Sequence, residues 1–207
     1  MKQVDKEAYQ FERYVGHDRW SSYYYQLREI LAQKPESVLE VGAGDRVVGN
    51  YLKGRGIAYT SADIAEDLSP DVVADVTALP FADNTFDLVC AFEVLEHLPF
   101  EKFEQALREL RRVSKRNVII SLPHFGPPLK FSFKIPFLPE ARVAFKIPYP
   151  RKHIFNGQHY WEIGKRGYSL SRIRAVLKEY FVIANEFVPF ENQYHHFFAL
   201  RKKSSSV

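Results

Sequence analysis

Residues 38–45, with the sequence Val-Leu-Glu-Val-Gly-Ala-Gly-Asp, constrain the fold of this chain more than any other segment. An apolar run that ends in two closely spaced glycines is typical of a strand that opens onto a bound nucleotide. Dinucleotide-binding proteins need a third glycine three positions beyond the second, and Val47 stands there instead. Glu40, two residues before the first glycine, repels a pyrophosphate but attracts an ammonium or sulfonium group. The segment therefore predicts a small, cationic, nucleoside-like ligand and disfavours a nicotinamide dehydrogenase.

Three more apolar runs follow along the chain, and acids stand at their ends. Residues 57–63 end in Asp63, about twenty residues after the glycines, where a carboxylate accepts hydrogen bonds from a ribose diol. Residues 71–75 end in Asp75, and residues 86–92 form a nearly unbroken apolar run typical of a central parallel strand. One such aspartate alone is equally consistent with a turn or a helix cap. Because ligands in open α/β sheets bind outside the carboxyl ends of the strands, acids at several strand ends favour a binding site.

The order of these motifs resembles that of the class I S-adenosylmethionine-dependent methyltransferases, and in particular of the type 11 methyltransferase domain. The resemblance covers residues 36–122. The residues that carry it are Glu40-Val41-Gly42-Ala43-Gly44, Asp63, Asp75 with Pro80 and Phe81, Phe86-Asp87-Leu88-Val89, and Glu93-Val94-Leu95-Glu96-His97-Leu98. The resemblance implies S-adenosylmethionine as the cofactor and a Rossmann-like α/β fold. That fold is a doubly wound, mostly parallel seven-stranded sheet with an antiparallel last strand.

The resemblance also implies which residues contact the methionine part of the cofactor. Glu40 and the glycine loop of residues 42–44 would approach it, because missing side chains let the backbone come close. Glu93 would face the methionine and the reacting methyl group. Arg46 stands where many members of the family carry a third glycine, so the conformation of this loop stays open.

The ribose and adenine contacts implied by the resemblance come from the next two strands. Asp63 would hold both ribose hydroxyls, and Ile64 would lie against one face of the adenine. Asp75 would accept from the adenine amino group, and the backbone amide of Val76 would donate to a ring nitrogen.

Catalysis of methyl transfer to an oxygen, nitrogen or carbon depends mainly on positioning, because the positive charge already activates the leaving sulfide. A general base helps only where the acceptor must lose a proton. The candidates are His159 and His124, which follows the strand predicted over residues 117–121, and a structural role is at least as consistent with each. Glu93 and His97 have i,i+4 spacing, but no other ligand clusters with them in the sequence, so we expect no metal site.

Length and composition predict a single domain over residues 1–207, located in the cytoplasm, and the resemblance implies that it is a methyltransferase domain. A chain of 207 residues with 46% hydrophobic residues supports one substantial core. The lone Cys90 lies inside an apolar run, which excludes a disulfide framework and favours a buried position. The amino terminus lacks the apolar core of a signal peptide, and no apolar stretch is long enough for a membrane span.

Regular structure is predicted on both sides of the nucleotide-binding core. Residues 1–35 would form a helical cover with an amphipathic helix over 18–34, in which Trp20 or Tyr24 lines the site or, as the favoured alternative, packs in the core. Further periodic segments predict helices over 101–114 and 168–180 and strands over 117–121, 181–188 and 195–200.

Residues 122–160 are predicted to form a lid rich in proline, aromatic and basic residues. Between 122 and 153 there are six Lys or Arg residues against one acid, and seven of the twelve prolines of the chain. Aromatic residues between these prolines expose apolar surface unless something covers them. The segment predicts an acceptor-binding lid that suits an acceptor with both apolar and anionic parts, or that contacts an anionic membrane surface. The favoured alternative to lipid contact is a lid whose aromatic residues pack on the domain itself.

The sequence therefore predicts an S-adenosylmethionine-dependent methyltransferase that acts on a small-molecule or lipid-like acceptor. The alternatives are a nucleic-acid methyltransferase, which the pI of 9.0 suggests, and a non-catalytic cofactor-binding module. Nucleic acid is disfavoured because residues 93–96 replace the proline-and-aromatic tetrad of amino-methylating DNA enzymes, and net charge alone is weak support. The sequence leaves open the acceptor, the methylated atom and the oligomeric state.

Overall fold

The computed structural model describes residues 6–9 and 14–203. The strands along the chain are β1 (Ser37–Val41), β2 (Ala58–Asp63), β3 (Val72–Val73), β4 (Phe86–Phe92), β5 (Ser114–Pro123), β6 (Pro128–Phe133), β7 (Ala141–Lys146), β8 (Phe181–Phe187) and β9 (His195–Lys202). The described α-helices are α1 (His17–Ala32), α2 (Val47–Gly54), α3 (Phe103–Val113) and α4 (Leu170–Tyr180). Short 3-10 turns lie at Lys6–Tyr9, Glu66–Leu68, Leu95–His97 and Phe100–Lys102. Within the described ranges, none of the helices is both long and apolar enough to cross a membrane.

Seven strands form one sheet in the order β3-β2-β1-β4-β5-β9-β8. Strand β1 pairs in parallel with β2 and β4, and β4 pairs in parallel with β5. Strand β9, the last in the chain, lies antiparallel between β5 and β8. The predicted fold class, a mostly parallel seven-stranded sheet with an antiparallel last strand, is confirmed. The strand order reverses between β1 and β4, and such a switch point leaves a crevice at the carboxyl ends of the strands.

Alternate residues of the central strands belong to two separate cores, one on each face of the sheet. Leu39 and Val89 pack in a cluster that includes α3 and α4, whereas Val38 and Leu88 pack in a cluster that includes α1 and α2. All four side chains are fully buried. Cys90 is buried in the second cluster, as the sequence predicts. Burial on both faces explains the nearly unbroken apolar run of β4.

Helix α1 covers one face of the sheet, as predicted, but two of the aromatic residues expected at its buried face are exposed. Trp20 and Tyr24 are 57% and 62% exposed, so they neither line the site nor pack in the core. The buried face instead carries Tyr23 and polar residues such as Ser22, whose hydroxyl accepts a hydrogen bond from Asn192 at 3.0 Å. Apolar periodicity assigns Ser22 to the exposed face of the helix. It gives no sign of Asn192, a residue far along the chain that satisfies the Ser22 hydroxyl in its buried position.

Strands β6 and β7 form a separate antiparallel hairpin within residues 122–160, a feature that the composition of the segment does not reveal. The opposed apolar pairs on one of its faces are Leu129 with Phe145, Phe131 with Val143, and Phe133 with Ala141. The other face carries Lys130, which donates to the backbone carbonyl of Glu191 at 3.3 Å, and Arg142, which pairs with the carboxylate of Glu191 at 2.5 Å. Because the basic face contacts the body of the protein, the apolar face points outward.

Candidate active site

A cavity of about 330 Å³ lies at the carboxyl ends of β1, β2 and β4, where the strand order reverses. This volume lies in the range of small-molecule sites. The predicted cofactor-contacting residues all line it: Glu40, Gly42, Ala43, Gly44, Asp63, Ile64, Asp75, Val76 and Glu93. The fold thus brings together motifs that are far apart along the chain.

The turn between β1 and α2 lets the backbone form one wall of the cavity. Gly42 and Gly44 have φ angles of +74° and +51°, in the left-handed region that glycine adopts without strain. A Cβ atom on Gly42 would lie 2.3 Å from Cγ2 of Val94, so the space beside this glycine is already filled. Arg46 also lies in the left-handed region, with a φ of +62°, and its guanidinium donates to the carbonyl of Leu68 at 2.9 Å. The loop therefore keeps a glycine-like backbone where the family pattern has a third glycine.

Glu40 is a buried carboxyl group at the carboxyl end of β1. Its Oε2 accepts a hydrogen bond from the Tyr59 hydroxyl at 2.5 Å. Burial, opposed by the Tyr59 hydrogen bond and assisted by the charge of Asp45, raises the pKa of Glu40 to about 8. A cation in the cavity would favour the charged form, so the proton of Glu40 can be exchanged for a bound ammonium or sulfonium group.

Asp63 ends β2 at the wall of the cavity. Its Oδ1 accepts a hydrogen bond from the backbone amide of Ala65 at 2.9 Å. Burial raises the pKa of Asp63, while hydrogen bonds from neighbouring backbone amides oppose that effect. The adjacent Ile64 is 44% exposed and offers an apolar surface beside the carboxylate, which suits a planar ring.

Asp75, which follows β3, makes local hydrogen bonds and also lines the cavity. Its Oδ1 accepts from the Thr77 amide at 2.8 Å and from the Thr77 hydroxyl at 2.7 Å. Burial raises the pKa of Asp75, but these hydrogen bonds outweigh burial and leave the pKa below its usual value. The turn-capping alternative considered from the sequence therefore applies to one oxygen of this residue. Val76 beside it is buried.

Two buried glutamates follow the end of β4. Glu93 has a φ of +55°, and its Oε2 lies 3.7 Å from Nε2 of His195. Its Oε1 has no hydrogen-bond partner in the described part of the chain. Burial raises the pKa of Glu93 and that of the fully buried Glu96. Left-handed backbone at a non-glycine residue and raised carboxyl pKa values are both frequent at functional sites.

The two histidines considered as general bases occupy different places. His159 lies behind the wall of the cavity, with its ring 5.0 Å from the ring of His97, which lines the cavity. Nδ1 of His159 is 3.2 Å from Oε1 of Glu162. His124 instead stacks on His196, with the two Nδ1 atoms 2.9 Å apart, and burial lowers its pKa to about 3. The geometry favours His159 over His124, and a base role for either stays a prediction.

Residues near the amino terminus also line the cavity, and sequence reasoning missed them. They are Tyr9, Tyr14, Arg19, Tyr23 and Gln26. The hydroxyl of Tyr23 donates to Asp45, which connects α1 to the glycine loop. The last three recur at i, i+4 and i+7 along α1, a usable signal. Because two of the three are polar, a search for apolar faces passes over them.

Comparison with known proteins finds a methyltransferase domain family and relatives that are named as methyltransferases. A family described as "Methyltransferase domain" matches residues 39–122. A demethylmenaquinone methyltransferase from Corynebacterium efficiens is 33% identical over 111 residues, which cover 49% of this chain and 47% of that protein. Sterol methyltransferase-like 3 from Botryococcus braunii is 35% identical over 86 residues, which cover 39% of this chain and 21% of that protein. The chain thus spans about half, or less, of the length of these curated relatives.

Solved structures share the fold at low sequence identity. The 1,6-didemethyltoxoflavin-N1-methyltransferase of Burkholderia thailandensis matches with a TM-score of 0.61 and 15% identity, over 96% of this chain and 85% of that one. That crystal structure contains 1,6-didemethyltoxoflavin and S-adenosylhomocysteine. At this identity the likeness shows a common fold, in agreement with the strand order described above.

Proposed function

We propose that this protein, whose residues 39–122 match a methyltransferase domain family, transfers a methyl group from S-adenosylmethionine to a small-molecule or lipid-like acceptor. The observation that carries the proposal is the cavity, whose wall collects carboxylates that follow successive strands. They are Glu40, Asp63, Asp75 and Glu93. A cationic nucleoside suits such a wall, because it offers positive charge and hydrogen-bond donors to carboxylate acceptors.

Each part of the cofactor has a matching group in this proposal. Glu40 and the glycine loop would hold the methionine ammonium, Asp63 the ribose hydroxyls, and Asp75 with Ile64 the adenine. When bound, the cofactor supplies an electrophilic methyl group on a sulfonium. The protein positions the acceptor and excludes water, and the tyrosines of the amino-terminal segment contribute to that enclosure. Where the acceptor must lose a proton, His159 is the better candidate base, because it contacts His97 at the wall of the cavity.

The outward face of the β6–β7 hairpin supports a lipid-like acceptor and contact with an anionic membrane surface. Its exposed side chains are Leu129 (39%), Phe131 (57%), Phe133 (65%), Val143 (57%) and Phe145 (49%). Lys134, Arg151 and Lys152 are exposed in the same segment, although Lys130, Arg142 and Lys146 bond to the body of the protein. Apolar side chains insert between lipids while nearby cations attract anionic headgroups. The names of the relatives, which refer to demethylmenaquinone and to sterols, agree with this class of acceptor.

Calorimetric titration with S-adenosylhomocysteine tests cofactor binding. Asp63→Asn removes the charge but keeps the size of the side chain, so we expect binding at least about tenfold weaker, from the loss of charge-assisted hydrogen bonds. Asp83→Asn is the matched control, because this aspartate precedes β4 and its side chain is 67% exposed. Unchanged affinity in Asp63→Asn would count against the assignment.

Transfer itself is tested with radiolabelled S-adenosylmethionine and cell extract separated into lipid, small-molecule and macromolecular fractions. We expect label in the lipid or small-molecule fraction. Label in nucleic acid would favour the nucleic-acid alternative, and binding without transfer to any fraction would favour a non-catalytic module. The cytoplasmic location predicted from composition is carried into this proposal, and the oligomeric state is left open.

A further inference from the structure

Glu96 is a buried carboxyl group that the proposed methyl transfer leaves without a role. It lies in the 3-10 turn Leu95–His97 that follows β4, and it has no solvent exposure. Neither of its carboxylate oxygens has a hydrogen-bond partner among the residues that the structure describes. Buried polar groups are nearly always paired, and an unpaired one is expected where an ion or a reacting group completes the site.

Two imidazole nitrogens face this carboxylate. Nε2 of His97 and Nε2 of His159 each lie 3.9 Å from Oε1 of Glu96. One ligand atom from each residue can be chosen so that all three lie within 4.8 Å of one another. Ligand atoms that surround a metal ion at about 2.0–2.2 Å are separated by about 3.3 Å in a tetrahedral site. The three ligand atoms would need to move only slightly closer together to surround a cation at the centre of the cluster.

His159 is oriented in the manner of metal-binding histidines. Its Nδ1 lies 3.2 Å from Oε1 of Glu162, and the same oxygen accepts a hydrogen bond from the Tyr194 hydroxyl at 2.9 Å. A carboxylate can only accept, so Nδ1 carries the proton and Nε2 keeps a lone pair on the side of Glu96. In metal sites a carboxylate commonly holds the second nitrogen of a histidine ligand and fixes its tautomer in this way.

Hydrogen bonds also hold together the two chain segments that carry the cluster. The amide of Tyr160 donates to the carbonyl of Glu96 at 2.9 Å. Nε1 of the fully buried Trp161 donates to the carbonyl of Leu98 at 3.1 Å. The ring of His97 is hydrogen-bonded to the backbone of Gln158. The ligands are therefore positioned before an ion binds, which reduces the conformational entropy lost on binding.

We propose that Glu96, His97 and His159 bind a divalent cation of the manganese, cobalt or zinc class. Two imidazoles with one carboxylate form a ligand set suited to such ions, whereas magnesium and calcium prefer sites made of oxygen atoms. The sequence analysis expected no metal site because it found no further ligand near His97. In the folded chain His159, near the end of the lid, lies against His97, and the side chain of Glu96 is buried.

This inference rests on the proposed methyl transfer and narrows its acceptor. Three protein ligands leave at least one coordination position open, as in catalytic metal sites. Because His97 lines the cavity, an acceptor bound there would be within reach of that position. A metal-bound hydroxyl loses its proton to water near neutral pH. Its oxygen then forms a bond to the methyl carbon as the carbon–sulfur bond breaks, which yields a methyl ether and a neutral thioether. The acceptor is therefore a hydroxyl-bearing molecule, and His159 acts as a ligand rather than as a base.

Calorimetric titration of the chelator-treated full chain with MnCl2 and with ZnCl2, in the absence of cofactor, tests the site. We expect one ion per chain. Glu96→Gln and His159→Ala should each weaken binding at least about tenfold, and Glu162→Gln, which removes the negative charge beside Nδ1 of His159, by about tenfold to a hundredfold. His17→Ala removes an exposed histidine of α1 and should bind as the unaltered protein does.

Thermal unfolding separates loss of the site from loss of the fold. An ion that binds only the folded protein raises Tm, so saturating Mn²⁺ should raise the Tm of the unaltered chain and of His17→Ala but not that of Glu96→Gln. Without metal, Glu96→Gln should unfold at or above the Tm of the unaltered chain, because it removes an unpaired buried acid. No binding by the unaltered chain at about 1 mM ion, or unchanged binding in both ligand variants, overturns the proposal. Failure to bind S-adenosylhomocysteine would instead count against the proposed function and leave the metal result standing.

Discussion

Hydrogen bonding distinguishes Asp87, at the amino end of the central sheet, from Glu93 and Glu96 at its carboxyl end. At the amino end, Asp87 accepts hydrogen bonds from the Ser37 amide at 2.9 Å and the Ser37 hydroxyl at 3.0 Å, and it pairs with Lys115 at 2.8 Å. At the carboxyl end, Glu93 and Glu96 are more deeply buried and have oxygens without partners in the described part of the chain. Paired carboxylates stabilise a fold, whereas unpaired buried ones cost stability and persist where a site needs them. The carboxylate at the amino end therefore stabilises the sheet, whereas the carboxyl end carries the proposed cofactor site.

The largest expected difference between the two ends is the pH dependence of stability at Glu40. Burial raises the folded-state pKa of Glu40 to about 8 from an ordinary value of 4.5, so the fold favours the neutral form. The stability that this group contributes is complete below pH 4.5 and is lost as the pH rises through 8. Urea unfolding measured from pH 4.5 to pH 8 should show that Glu40→Gln loses less stability over this range than the unaltered protein, by roughly 2–4 kcal/mol. Parallel pH profiles for the two proteins would contradict the assignment.

Replacement of Gly42 tests whether the carboxyl end is built around a backbone that approaches a ligand. Gly42→Ala introduces a Cβ 2.3 Å from Val94 at a φ of +74°, so we expect a loss of about 1–3 kcal/mol in stability and much weaker binding of S-adenosylhomocysteine. Gly54→Ala is the matched control, since a Cβ there meets nothing within 4 Å. Adding Val94→Ala should restore part of the lost stability. Equal effects of the two glycine replacements would remove the special role of the loop.

The hairpin that projects beyond the carboxyl end should affect membrane contact without affecting the fold. Phe131→Ser with Phe133→Ser removes two exposed aromatic rings, so binding to anionic phospholipid vesicles should weaken about tenfold or more. Cofactor affinity and Tm should be unchanged. Tyr24→Ser, at an aromatic residue that is 62% exposed on α1, serves as the control. Equal vesicle binding by all three proteins would argue against a lipid surface, and a change in oligomeric state alone would indicate a second copy of the chain as the partner.

The smallest expected effect comes from Asp87 at the amino end, with the opposite pH sign to Glu40. The Lys115 ammonium and the Ser37 donors lower the pKa of Asp87 from 3.8 to about 2. The stability gained from this group is present above pH 3.8 and is lost as the pH falls towards 2. After allowance for solvent screening we expect about 1 kcal/mol, seen as a shallower acid limb for Asp87→Asn in unfolding experiments. Binding of S-adenosylhomocysteine should not change, and a change would mean that the two ends are coupled.

The sheet and the wall of the cavity could be predicted from short segments of sequence. Strand β4 is readable because burial on both faces leaves an unbroken apolar run, and the glycine pair is readable because only glycine fits a left-handed turn with Val94 against it. The alternation of Phe131 and Phe133 with polar residues in β6 is also local. Prolines on both sides of this strand argue against a strand assignment, so the alternation alone does not predict β6.

Other parts of the site could not be predicted, because long-range contacts decide them. Trp20 and Tyr24 have helical spacing suited to a buried face, yet Ser22 is buried in their place because Asn192 provides a hydrogen bond. His159 lies near His97 only because the lid folds back onto the turn after β4. Contacts between residues so far apart in sequence produce no periodic pattern from which they could be predicted.

The sequence by itself determined the class of fold, the strand that opens onto the cavity and the carboxylates of the cofactor wall, because these depend on local patterns of burial and on backbone geometry at glycine. The tertiary structure alone decided which face of α1 closes the cavity, which face of the hairpin meets solvent, and that the buried Glu96 lies beside two histidines. The physical reason is that burial and pairing of a polar group depend on partners that only folding brings within a few ångströms.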